Sequence, residues 1–159
     1  MNSEALQSLN IIIDSKLISI GRCSNMVWLW FQKNCSIFVL HLQCPWRIID
    51  GEHICIASGD IYSPSSIFTG DFEDFIWDMQ GANLFDEYIK TSFVKEMWCV
   101  NTVVVTAIGD INIHFSNEKD LQIYIDNSTD EEQWRFFEKG GDTNHLVVTA
   151  RGGQFGIVN

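Results

Sequence analysis

Basic residues are scarce in this chain: ten Lys and Arg stand against twenty-one Asp and Glu, a formal charge of -11. Recognition of phosphates needs a basic face, so a nucleic-acid partner is not expected. Proline occurs only at Pro45 and Pro64, and no internal repeat, low-complexity tract or long linker interrupts the 159 residues. One α+β domain over residues 1–159 is therefore expected. Long apolar runs are missing too; Met26 to Phe31 is far too short to span a bilayer, and no membrane association is expected. The N-terminus lacks the basic, apolar and small-residue sequence of a signal peptide. The five cysteines (Cys23, Cys35, Cys44, Cys55 and Cys99) show no CxxC spacing and are odd in number. Cys23, Cys44 and Cys55 lie in apolar text, where a free thiol behaves as a small hydrophobe, and a reduced, cytoplasmic protein is expected.

Aromatics are plentiful by contrast. Six Trp and eleven Phe in a chain that is 46% hydrophobic point to a β-rich core. The charge is uneven: residues 1–50 hold three acids against four bases, and residues 51–159 hold eighteen against six. The later part should form a negative surface that attracts a basic partner and speeds encounter.

The chain is organised around Ser36 to Asp60. Alternation puts Phe38, Leu40, Leu42, Cys44 and Trp46 on one face and Val39, His41, Gln43 and Arg47 on the other. The first face is core; the polar groups of the second need partners if covered. Upstream, Ser3 and Glu4 open an N-terminal helix carrying Ala5, Leu6, Leu9, Ile12 and Ile13. Strands follow at Lys16 to Cys23, where Gly21 marks a bulge or a close backbone approach, and at Asn25 to Gln32. Downstream, the spacing of Phe72, Phe75, Ile76 and Met79 predicts a helix from Asp71 to Gly81, and Asn83 to Lys95 a second short one. These form a helical insertion near residues 71–95. Val100, Thr102, Val104, Thr106 and Ile108 alternate with Asn101, Val103, Val105 and Ala107. Shorter strands follow, Glu131 to Glu138 reading either as strand or as a helix capped by Ser128. His145 to Arg151 and an edge strand over Phe155 to Val158 close the chain. The expected architecture is a mostly antiparallel meander of seven to nine strands, curved or split into two layers.

Chemistry-bearing patterns are few. His41, His53, Cys44 and Cys55 flank one bend, but no CxxC or HxxxH spacing supports a metal, and no metal or cofactor is expected. Ser58–Gly59 lacks the GxSxG elbow, and Gly140–Gly141 and Gly152–Gly153 do not follow a strand–loop–helix pattern. On the predicted helix Asp71, Asp74 and Asp78 stack at i, i+3 and i+7, with Glu73 to one side. Such a face suits solvent or a basic partner, and does not supply the converging pair that acid–base catalysis needs. Arg22, Arg47 and Arg135 sit in apolar text beside Cys23, Trp46 and Trp134, where a guanidinium locks a corner or clamps an anion.

The segments IGR at Ile20–Arg22, NMVWLWF at Asn25–Phe31, LHLQCPWRI at Leu40–Ile48, SGD at Ser58–Asp60 and WRFF at Trp134–Phe137 resemble a family of small uncharacterised bacterial proteins with an H-x-Q-C-P-W-R strand. The resemblance implies an architecture and no mechanism; immunity proteins that neutralise toxins are similar by analogy only. The leading expectation is an acidic, immunity-like binding protein that blocks a basic protein such as a toxin without catalysis. It would use Asp71, Glu73, Asp74 and Asp78, with Trp77 as anchor. The alternatives are a small-molecule or anion-binding β domain or enzyme built on Arg22, His41, Gln43 and Arg47, and a passive structural or oligomeric component.

Overall fold

The computed structural model describes residues 7–141 and 144–157, the last three by backbone alone. The proposed helix start at Ser3 and Glu4, with Ala5 and Leu6, lies outside the described residues, as does Val158 of the expected edge strand. Within the described part of the N-terminal segment, Gln7 is helical and Ser8–Ile12 form a 3-10 turn that buries Leu9 and Ile12.

Among the described residues eleven strands build two sheets, more than the seven to nine expected. Strands β1 (Lys16–Cys23), β2 (Met26–Lys33) and β3 (Ser36–Leu42) form a meander at one end of the six-stranded sheet. Strands β9 (Glu132–Glu138), β10 (Asn144–Thr149) and β11 (Gly152–Ile157) complete it in the order β1-β2-β3-β9-β10-β11. The second sheet runs β5-β4-β8-β7-β6, from β4 (Trp46–Asp50), β5 (His53–Ala57), β6 (Val100–Val105), β7 (Ile111–Phe115) and β8 (Lys119–Ile123). All strand pairs are antiparallel. The topology is not a plain meander, because β3 pairs with β9 and β4 with β8 across long stretches of chain. The segment Glu131 to Glu138, open between helix and strand in the sequence, is drawn into the six-stranded sheet by that β3 pairing.

The Ser36–Asp60 stretch joins the two sheets. Pro45 cannot donate to a ladder, and at this step the chain leaves one sheet and enters the other. The inward register survives the crossing: Phe38, Leu40, Leu42, Cys44 and Trp46 are all buried, in one continuous core with both sheets. An α-helix, α1 (Leu84–Thr91), covers the end of this core with Phe85, whose ring meets Trp46 edge-on at 5.7 Å. Trp134 is fully buried, and its indole N–H donates to the Gly109 carbonyl at 2.8 Å, pinning β9 to the β6–β7 turn.

Two local readings change. Gly21 is a close approach: a Cβ there would lie 2.3 Å from Trp28 Cζ2, while the register shift of β1 falls earlier, between Leu17 and Ser19. On β6 a second shift between Val100 and Thr102 reverses the alternation. Val103 and Val105, not Thr102 and Val104, then pack on the core beside Val100.

Candidate functional site

The predicted helix over Asp71–Gly81 does not form. That segment belongs to a loop whose one regular turn is a 3-10 piece, Phe72–Asp74. The apolar spacing is helical, but four acids crowd it, and its aromatic residues find partners within the loop. Phe75 packs against Phe68 at 5.7 Å and Phe72 at 5.9 Å. Trp77 packs at a tilt against Tyr62, ring centres 4.9 Å apart, and rests half-buried on the core, so the expected anchor is largely spent on folding.

The loop is closed at its neck. Ser65 N–H donates to the Ala82 carbonyl and Leu84 N–H to Ser63, bridging Pro64 and Asn83. Asn83 is buried; it accepts from Asp86 N–H at 2.9 Å as the N-cap of α1 and donates its amide to the Trp77 carbonyl. Ser66 bonds to Glu87 through both its backbone N–H and its hydroxyl.

Arg22 fastens the loop to the β1–β2 hairpin. Its Nε and Nη2 each reach an Asp86 carboxylate oxygen at 2.8 Å, a fork on a planar anion. Nη1 donates to Asp78 Oδ1 at 3.2 Å and to the Ser24 carbonyl, and Nη2 also donates to the Met79 carbonyl. The Arg22 and Asp86 side chains are 2% and 6% exposed, whereas Asp78 is 52% exposed. The bond to Asp86 holds the Arg22 pKa above its ordinary value. Asp86 also accepts from Gly81 N–H at 2.7 Å. Arg22 is therefore a fully engaged structural clamp.

The clamp presents an unusual surface. Ile67 is 81% and Phe72 70% exposed, with Ile76 and Met79 more than half exposed on the same loop. Between them lie Asp71, Glu73, Asp74 and Asp78, all exposed. These acids do not share the helical face expected of them: three surround the 3-10 turn, and Asp78 turns back toward Arg22. Exposed apolar side chains of this size, grouped and rimmed by charge, are the surface chemistry of protein docking. Sequence reading missed Phe72, Ile76 and Met79 as surface groups because helical spacing assigns them to a buried face, and it did not single out Ile67 just before them. Asp86 was missed too, although the Asn83-x-x-Asp86 spacing marks a helix start.

The alternative cluster of Arg22, His41, Gln43 and Arg47 does not assemble. Arg22 faces inward under the loop. His41 lies on the outer face of the six-stranded sheet, edge-on to Phe137 at 5.1 Å, and Phe137 stacks on His145 at 4.0 Å. Burial, then the Arg135 charge, lowers the pKa of both histidines, and Arg135 itself is paired with Glu132. Gln43 is exposed at the crossover, beside a shallow groove of about 240 Å³ lined also by Asn25, Ser58, Tyr62 and Asp126. Arg47 is on the other sheet, donating to Gln122 at 2.7 Å and to the Tyr124 hydroxyl at 2.8 Å. Strand alternation had put His41, Gln43 and Arg47 on one side, but the sheet change at Pro45 divides them.

A second groove, about 340 Å³, runs between β5 and α1 and is lined by Ile54, Cys55, Asp60, Glu87, Tyr88 and Thr91. Cys55 and Tyr88 both have pKa values raised by burial, so neither is a ready nucleophile. Burial likewise pushes the Cys44 thiol up to about 12. Among the described residues no three His, Cys, Asp or Glu side chains are grouped to hold a metal. No described helix is long and apolar enough to cross a membrane.

Fold and site together define a two-sheet α+β protein presenting one braced acidic and apolar loop. No family model, curated protein or solved structure matches the chain, so its functional reading rests on this geometry.

Proposed function

We propose that this is a non-catalytic acidic binding protein, immunity-like in mode, that blocks a basic protein partner by docking the loop between Ser63 and Asn83 onto it. The carrying observation is the interleaving of exposed Ile67, Phe72, Ile76 and Met79 with Asp71, Glu73, Asp74 and Asp78 on a loop tied down by Arg22. The apolar groups supply anchors, and the carboxylates steer a basic surface toward them and set orientation. Bracing through Arg22, Asn83 and Glu87 reduces the ordering cost of binding. The five cysteines are free thiols, which fits action in the reducing cytoplasm.

The test is titration against a basic protein captured from the native source and then purified. The triple variant Asp71→Asn, Glu73→Gln and Asp74→Asn spares the Arg22 clamp and should slow association and flatten its salt dependence. Phe72→Ser should speed dissociation. Unchanged binding and unchanged salt dependence in both variants would remove the loop as the docking surface.

A further inference from the structure

A second exposed patch lies where the two sheets meet. The start of β1 closes against the approach to β6: Leu17 N–H donates to the Trp98 carbonyl at 2.8 Å, Val100 N–H to Ser15 at 2.9 Å, and Lys16 bridges Cys99. Leu17 and Trp98 turn into the core, so their neighbours Lys16, Ile18 and Met97 turn outward. Met97 is 66% exposed and Ile18 42%. The 3-10 turn Phe93–Lys95 sits just upstream; its Phe93 ring packs on Trp98 at 5.4 Å, which leaves Val94, 65% exposed, and Lys95 on the surface beside Met97.

Two exposed lysines, Lys16 and Lys95, lie in this patch. Lys16 and Lys95 make no ion pair among the described residues. The adjacent Glu96 pairs at 2.7 Å with Lys119, which also holds Asp50 at 3.4 Å, and exposed Asp14 precedes β1. In a chain of formal charge -11, a surface pairing two unanswered lysines with three exposed apolar side chains stands out from its surroundings.

We infer that this seam is a docking surface for a second copy of the chain, whose acidic and apolar loop it receives. Lys16 and Lys95 face Asp71 and Asp74 of the neighbour, and Ile18, Val94 and Met97 receive Phe72 and Ile76. The two patches are different surfaces of one chain, so the contact is heterologous and a pair of copies keeps one free loop and one free seam. Self-association is then open-ended, weak and suppressed by salt. It rests on the docking chemistry proposed above, with the added consequence that the basic partner and the second copy compete for one loop.

Sedimentation velocity over a concentration series, at low and high salt, tests this. The wild type should gain weight-average mass with concentration and lose it with salt. Lys16→Glu with Lys95→Glu should weaken association by about tenfold or more, as should Asp71→Lys with Asp74→Lys. An equal mixture of the two reversed variants should associate again, because each seam then meets a loop of opposite sign. That restoration cannot come from misfolding of either variant. A wild type that stays monomeric at low salt, a seam reversal without effect, or a mixture that stays monomeric would each overturn the inference. The seam variants leave the loop intact, so such a failure would not touch partner binding. Loss of loop-dependent partner binding with self-association retained would sink only the partner reading.

Discussion

Removing the Arg22 guanidinium should unbrace the loop and destabilise the whole chain. Arg22→Met keeps the stem and deletes every guanidinium donor, leaving Asp86 with Gly81 N–H as its one donor among the described residues, in a site where its side chain is 6% exposed. Breaking a buried, hydrogen-bonded ion pair from one side costs ~3–5 kcal/mol, mostly because a charge stays behind unanswered. Asp78→Ala removes the other carboxylate of the same clamp, but that side chain is 52% exposed and its pairing is worth no more than ~1 kcal/mol. The double variant Arg22→Met/Asp86→Leu leaves no buried charge and should be more stable than Arg22→Met alone. Urea unfolding followed by Trp fluorescence gives all four free energies. The reasoning fails if Arg22→Met and Asp78→Ala cost the same, or if adding Asp86→Leu makes Arg22→Met worse.

Three further expectations follow from single residues. Gly21→Ala would drive a Cβ into the Trp28 ring and should cost ~1–3 kcal/mol in the same unfolding assay, since a well-packed site resists added volume. His41 and His145 have folded pKa values below the ordinary 6.5, so the unfolded state binds protons first; their contribution is complete above about pH 7 and is lost as pH falls through 6.5 toward the folded values. His145→Phe should flatten the decline in urea midpoint from about pH 7 to about pH 5, and an unchanged slope would show that this histidine contributes nothing to it. Native alkylation with iodoacetamide, read by peptide mass, should label exposed Cys23 and Cys35 early and buried Cys44 last, its thiol pKa being about 12.

The sequence by itself determined which residues face inward along the organising stretch. Phe38, Leu40, Leu42, Cys44 and Trp46 are core because a two-residue period is a property of the extended chain, whatever sheet it joins. It also determined the hairpins and the short helix after Asn83, whose signals are local. Tertiary structure decided what alternation cannot express. Which strand pairs with β3 or β4, and the division of His41 from Arg47 at Pro45, depend on contacts between distant segments. A one-residue bulge moved Val103 and Val105 to the core side of β6, because each inserted residue reverses every side chain beyond it. The loop was the least legible part. Its apolar spacing is that of a helix, yet the Arg22 fork on Asp86, the Asn83 bonds and its own aromatic contacts hold it in another shape. The same side chains that a helix would have hidden are thereby left on the surface, where the proposed partner would meet them.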